Sequence, residues 1–163
     1  MGHFDESQNL HRLPLVLLLN PVATGLLGAL GEEIGWRGFL QPQLQKKFGT
    51  TTALLMLGII WAYWHLPANL GGHNGVEHRI LNTFVIFPIA VIGMTFAFGW
   101  LRIKSESIWP CVYFHGVINS ISNYWLIKPD TELTEKIVGM VAWLLIGFYF
   151  FQRLRKPPLA SRF

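Results

Sequence analysis

Apolar residues fill most of this chain in five stretches, and only short polar connections separate them. The stretches cover residues 13–30, 51–66, 80–101, 109–127 and 137–151. A helix needs about 17–25 residues to cross a bilayer, so the third and fourth stretches are long enough outright. Lipid offers no water to unpaired backbone groups, which favours helices over irregular structure. The pattern predicts an all-α fold, a polytopic transmembrane helix bundle with about five to six membrane helices.

The composition agrees with a membrane protein. Only 13% of the 163 residues are charged, about half the share that is usual in soluble domains. The length allows one domain, so residues 1–163 are interpreted as a single membrane-embedded unit. The net charge of +4 comes largely from short basic clusters beside the apolar stretches, which is typical of membrane orientation rather than nucleic-acid binding. The one cysteine, Cys111, excludes a disulfide within the chain.

The first apolar stretch resembles a cleaved signal peptide in its position after Arg12. It runs into the next segment without a convincing small-residue cleavage site, so we interpret residues 13–30 as a retained span. Residues 31–48 then form an amphipathic helix. This helix either continues the first span or begins separately near residues 28–31.

Counts of lysine and arginine predict the orientation of the bundle, because these residues accumulate on the cytoplasmic side. With five spans, one side of the membrane holds eight basic residues and the other holds four. The larger group is Lys46, Lys47, Arg102, Lys104, Arg153, Arg155, Lys156 and Arg162, and the smaller is Arg12, Arg79, Lys128 and Lys136. We therefore expect a multi-pass protein of the cell membrane with a cytoplasmic C-terminus.

Two adjacent glutamates and an arginine interrupt the apolar pattern in the segment EEIGWR, residues 32–37. Ionisable groups at membrane depth are costly and persist mainly where they are paired or functional. Glu33 and Arg37 are four residues apart, which predicts an ion pair on one helix face. Glu32 points away from that face and is a candidate general base. The structural alternative is a charged cluster at a helix end that extends toward the membrane surface.

Two later segments add imidazole and amide groups. His65 lies four residues after Trp61, and His115 lies four residues before Asn119 on the same predicted helix face. An imidazole and a carboxamide can together donate hydrogen bonds to an oxyanion. The structural alternatives are an interfacial or core histidine for His65, and interhelical hydrogen bonds for the other two residues.

The order and spacing of the three segments resemble the motifs of a family of intramembrane proteases, the CAAX protease and bacteriocin-processing family. Its EExxxR motif matches residues 32–37, its FxxxH motif matches residues 61–65, and its HxxxN motif matches residues 115–119. Trp61 replaces the phenylalanine of the second motif, and we expect this change to affect packing more than chemistry. Family members usually have further N-terminal spans, so the chain is predicted to be a compact or an N-terminally shortened member of bacterial type.

The resemblance implies an intramembrane glutamic endopeptidase that uses no metal and no cofactor. The resemblance assigns water activation to Glu32 and His65. It assigns oxyanion stabilisation to His115 and Asn119, and support of the site to Glu33 and Arg37. The expected partners are the lipid bilayer and a peptide or membrane-protein substrate. Because nothing marks a prenyl-binding pocket, bacterial peptide processing or immunity ranks above CAAX processing.

Two other functions remain open. In a zinc-dependent membrane metalloprotease, Glu32, His65 and His115 would ligate the metal, since mixed histidine and glutamate ligands suit zinc. No HExxH segment is present to support this hypothesis. In the second alternative, the chain is a membrane scaffold or bacteriocin-immunity protein that catalyses no reaction.

Overall fold

The computed structural model describes residues 28–73, 77–124 and 133–155. Nearly all of these residues are helical, and none of them belongs to a β-strand. The helices are α1 (Leu30–Glu33), α2 (Gln41–Phe48), α3 (Thr50–Trp64), α4 (Leu66–Leu70), α5 (Arg79–Leu81), α6 (Phe87–Ser105), α7 (Trp109–Tyr124) and α8 (Leu133–Arg155). The all-α prediction is confirmed for this part of the chain. Most of the predicted first span, up to residue 27, lies outside the described residues.

Two wide turns join short helices into longer ones. Ile34–Leu40 connects α1 to α2, and Asn82–Ile86 connects α5 to α6, both with π-helical geometry. The N–H of Gln41, for example, bonds the carbonyl oxygen of Trp36, five residues earlier. A proline follows each turn within two residues, and its ring crowds the preceding turn of an α-helix. The first wide turn falls on the acidic motif, and π-helical turns are frequent at functional sites.

A glycine at the end of α2 reverses the chain into α3. Gly49 has a φ of 75°, which glycine adopts at little cost, and its N–H closes the last turn of α2. This is the helix end that the closing Lys-Lys-Phe-Gly sequence predicts. α3 then runs antiparallel to α6, because Leu54 lies beside Gly99 while His65 lies beside Phe87.

α6 is the central helix of the described bundle, with α3 and α8 as its most extensive neighbours. α8 runs parallel to α6, since Gly93 lies against Gly147 and Phe96 lies against Phe151. The basic C-terminal ends of α6 and α8 therefore lie at the same end of the bundle, as the predicted grouping of basic residues requires. The side of the membrane that this end faces stays a prediction.

Two helices are long and apolar enough to cross a membrane. They are Arg79–Ser105, with a mean hydropathy of 2.1, and Leu133–Arg155, with 1.7. Thr50–Trp64 is a shorter apolar helix. Most residues of α8 are exposed, and most of the exposed ones are apolar, which suits a helix that faces lipid. The structure thus supports a membrane protein, and the count of about five to six spans stays a prediction.

Candidate active site

A buried ion pair lies on the acidic helix, which is the continuous helical segment of α1, the first wide turn and α2 (residues 30–48). Arg37 Nη1 is 2.9 Å from Glu33 Oε1, and neither side chain is exposed to solvent. This is the contact that the four-residue spacing predicts. The guanidinium carbon also lies 4.3 Å from the ring centroid of Trp61 and 4.8 Å from that of Phe98. These cation–π contacts tie the acidic helix to α3 and α6 around a charge that must be paired to remain buried.

His115 reaches the same carboxylate from α7. Its Nδ1 lies 2.8 Å from Glu33 Oε1, so one oxygen serves both His115 and Arg37. Because a carboxylate accepts, Nδ1 carries a proton, and Nε2 can donate only when the ring holds both protons. Residues 33 and 115 are 82 positions apart, and no spacing rule connects them. This contact therefore required the structure.

Glu32 accepts two indole hydrogen bonds on a single oxygen. Trp61 Nε1 donates to Glu32 Oε2 at 2.8 Å, and Trp36 Nε1 donates to it at 3.2 Å. Glu32 Oε1 forms no hydrogen bond within the described residues. Glu32 is also partly exposed, whereas Glu33 is fully buried. Among the described residues the two adjacent carboxylates thus have different surroundings, because Glu32 has its unbonded oxygen at a partly exposed position whereas Glu33 Oε2 is buried.

The role expected of Trp61 needs correction. Trp61 in place of phenylalanine was expected to matter mainly for packing, yet its indole N–H bonds Glu32 directly. Phenylalanine has no such donor. Trp36 is also a donor that the sequence could have indicated, because it lies four residues after Glu32 on a helix.

His65 lies at the break between α3 and α4. Its Nδ1 is 2.9 Å from the carbonyl oxygen of Trp61, so this nitrogen carries a proton and Nε2 has the lone pair of the neutral ring. The ring is half-buried, with centroid distances of 6.1 Å to Trp61 and 5.2 Å to Phe87. Pro67 follows in the first turn of α4 and helps to end α3.

The three motifs meet around the side chain of Trp61. Its indole bonds Glu32, and its ring centroid lies 5.4 Å from that of His115. His65 contacts the same residue through both its ring and the backbone carbonyl. Asn119 is half-buried one turn after His115, and it forms no hydrogen bond with the other motif residues in the part of the chain that the structure describes. The roles of all these residues stay predictions.

The polar face of the acidic helix continues beyond the predicted residues. Gln41 is fully buried, and its Nε2 lies 3.4 Å from both the Gly99 carbonyl oxygen and Gln45 Oε1. The two glutamines repeat the four-residue spacing of Glu33 and Arg37. The sequence contained this signal, since residues at that spacing share a helix face.

The three ligands of the zinc hypothesis do not form a cluster. Within residues 28–73, 77–124 and 133–155, no group of three or more His, Cys, Asp or Glu side chains could hold a metal ion. Glu32 instead accepts from two indoles, and the histidines use Nδ1 on two different oxygen atoms. The observed side-chain arrangement therefore gives the zinc hypothesis no support.

A family model decides which group of proteins this chain belongs to. The model described as "Rce1-like: Type II CAAX prenyl endopeptidase Rce1-like" matches residues 14–121, which include all three motifs. The chain belongs to this family. The match confirms the resemblance to the CAAX protease and bacteriocin-processing family, of which the Rce1-like proteins are part.

A named relative gives the same result. A CAAX prenyl protease 2 of Methanococcus maripaludis is 29% identical to the chain over 151 residues. The alignment covers 87% of this chain and 53% of the relative, so the chain spans about half the length of the curated relative that it matches. No solved structure matches the chain. Both the Rce1-like family and this relative are named for proteolysis of CAAX prenyl substrates.

Proposed function

We propose that the chain is an intramembrane endopeptidase that hydrolyses peptide bonds with a water molecule activated by Glu32. The observation that carries the proposal is the meeting of the three family motifs around Trp61. Family membership supplies the reaction class, and the contacts of each side chain suggest its part in the reaction. The full set of roles combines Glu32 and His65 for water activation with His115 and Asn119 for the oxyanion.

Glu32 is suited to act as the general base. Its partial exposure and unbonded Oε1 leave a position for water, while the indoles hold the other oxygen. Glu32 would take one proton from the water as the oxygen attacks the peptide carbonyl carbon, and would return that proton to the departing amine. His65 assists through Nε2, which can accept a hydrogen bond from the same water when the ring is neutral.

His115 and Asn119 are suited to stabilise the negative oxygen of the tetrahedral intermediate. Glu33 holds Nδ1 of His115, so the ring must carry a second proton for Nε2 to donate to the oxyanion. The carboxylate of Glu33, which also pairs with Arg37, would face both positive charges. The amide of Asn119 supplies a donor that does not titrate.

The substrate is a peptide or a membrane protein. The curated relative is named for CAAX prenyl substrates, whereas nothing in this sequence marks a prenyl-binding pocket. We therefore rank bacterial membrane peptides above prenylated ones. The site would lie in a single membrane-embedded domain of a multi-pass protein, with the C-terminus in the cytoplasm and a water-filled cavity between helices.

The experiment is a cleavage assay in proteoliposomes with a peptide library that includes prenylated and unprenylated members. Glu32→Ala should lose cleavage, because alanine cannot accept the water proton. Glu135→Ala, which removes an exposed glutamate from α8, is the matched control and should cleave as the wild type does. Cleavage by folded Glu32→Ala at the wild-type rate would contradict the proposal.

Two further outcomes of this assay favour the alternative functions. Complete loss of wild-type activity with a chelator, restored by zinc, would support the metalloprotease. Absence of cleavage by folded, inserted wild-type protein against every library member would support the scaffold or immunity protein. The proposed mechanism predicts that the wild type cleaves at least one peptide and that chelation leaves the rate unchanged.

A further inference from the structure

A pair of tryptophans holds the carboxylate of Glu32. Both indole bonds fall on Oε2, the shorter from Trp61 at 2.8 Å and the longer from Trp36 at 3.2 Å. Two donors on one oxygen restrict rotation of the carboxylate and leave Oε1 as the oxygen that can receive a proton.

Trp61 is itself held firmly in the core. Its side chain is only 2% exposed, and its ring lies against Phe98, with 6.2 Å between the centroids. Arg37 stacks on it at 4.3 Å, and His115 lies on another side at 5.4 Å. The indole therefore has little freedom to turn away from Glu32. Trp36, by contrast, is only partly buried and makes the longer bond.

We infer that Trp61, assisted by Trp36, is a positioning residue that orients the carboxylate of Glu32 for water activation. The inference rests on the proposed function, because it takes Glu32 as the base. Trp61 acts through Glu32 and does not touch the reacting atoms itself. The second motif of the family has phenylalanine here, so this indole donor is a feature of the present chain.

The surroundings of Trp61 must stay constant in any test of its hydrogen bond to Glu32. The ionisable groups that face its indole are Glu32 and Arg37 from the acidic helix, His65 from the end of α3 and His115 from α7. Trp61→Phe keeps an aromatic ring among them and removes only the indole N–H and part of the ring. It therefore isolates the hydrogen bond better than alanine would.

The test compares kcat and KM of Trp61→Phe with those of the wild type on one library peptide, with kcat expressed per folded molecule. We expect kcat to fall on the order of 10-fold with little change in KM, since a hydrogen bond to a charged group is lost. A purely structural role would lower the amount of active protein without changing kcat per folded molecule.

Two other tryptophans grade the effect. Trp36→Phe should lower kcat by less, because its bond is longer. Trp109→Phe is the matched control, since Trp109 is exposed at the start of α7 and forms no hydrogen bond with Glu32. It should leave kcat unchanged.

A second measurement keeps the inference testable if Trp61→Phe does not fold. The indole ¹⁵N–¹H resonance of Trp61 should move when Glu32→Gln replaces the charged acceptor, while that of Trp109 should stay in place. A Trp61 resonance at the same position in Glu32→Gln would overturn the inference. So would a folded Trp61→Phe variant with wild-type kcat while Glu32→Ala is inactive, and the proposed function would then survive. An active Glu32→Ala variant would instead overturn the proposed function.

Discussion

The two sides of α6 are built from different kinds of contact. On the side of the acidic helix, α3 and α7, charged and polar groups are buried and bonded to one another, as in the Glu33, Arg37 and His115 cluster. On the side of α8, the helices touch through glycines. A Cβ on Gly147 would lie 2.6 Å from the carbonyl oxygen of Gly93, so the two backbones are already in contact.

The difference separates two tasks within one small bundle. Hydrogen bonds have preferred directions, so the polar side can hold side chains in the fixed positions that catalysis requires. Close backbone packing through small residues joins membrane helices without placing a polar group in lipid. We therefore expect substitutions on the polar side to change both the fold and the reaction, and substitutions on the α8 side to change the fold alone.

The largest effect on stability is expected from Arg37. Arg37→Leu leaves the buried Glu33 carboxylate with only His115 as a partner, and breaking a buried pair in this way costs about 3–5 kcal/mol. Thermal unfolding in detergent micelles measures the loss. Arg153→Leu, which removes an exposed arginine of α8, should change the free energy of unfolding by less than about 0.5 kcal/mol. Equal unfolding temperatures for the two variants would contradict the importance of the polar cluster.

The second effect concerns the reaction and not the fold. Asn119→Ala removes one proposed oxyanion donor, which is typically worth about 10²–10³ in turnover. Because an amide does not titrate, the shape of the pH–rate profile should stay the same. Tyr113→Phe, an exposed position on the same helix, is the control. Full turnover in Asn119→Ala would remove this residue from the proposed site.

How much of the polar side could be predicted from the sequence depends on how far apart in the chain the contacting residues lie. The pair of Glu33 and Arg37 follows from helical periodicity, and so does the buried Gln41 one turn further. The bonds of Glu32 to Trp61 and of Glu33 to His115 join residues 29 and 82 positions apart, and only tertiary packing brings them together. Local patterns therefore identified the candidate residues and the partners one helical turn away, but not the partners that are distant in the sequence.

The α8 side was even less visible in the sequence. Glycines are common in membrane helices, so nothing in the local pattern distinguishes Gly147, at a helix crossing, from Gly139, which has no neighbour near its missing Cβ among the described residues. The apolar stretch that became α8 was predicted from its length and hydropathy. The face that it turns toward α6 was set by close packing, which periodicity alone does not reveal.

The third effect tests this glycine crossing. Gly147→Ala places a methyl group against the backbone of Gly93, and such overpacking costs about 1–3 kcal/mol. Gly139→Ala on the same helix is the matched control, and it should be neutral or stabilising by up to about 1 kcal/mol through helix propensity. Turnover per folded molecule should remain at the wild-type level in both variants. A Gly147→Ala variant as stable as Gly139→Ala would show that the helices do not pack this closely.

The smallest effect is expected at the end of the polar face. Gln41 donates only through contacts of 3.4 Å, and its Oε1 has no partner within the described residues. Gln41→Leu should therefore change the free energy of unfolding by less than about 1 kcal/mol. Gln43→Leu, at an exposed position of α2, sets the baseline in the same unfolding assay. A loss as large as that of Arg37→Leu would mean that the polar cluster extends to Gln41.

The most direct measurement compares Glu32→Gln with Glu33→Gln in both cleavage rate and unfolding temperature. Glutamine keeps the size of each side chain but cannot serve as a carboxylate base. The account predicts that Glu32→Gln lowers the cleavage rate at least about 10²-fold with little change in unfolding temperature. Glu33→Gln should lower the unfolding temperature, because it leaves Arg37 buried without a charged partner. Wild-type cleavage by Glu32→Gln, or unfolding of that variant at a much lower temperature than Glu33→Gln, would contradict the division of tasks between the two carboxylates.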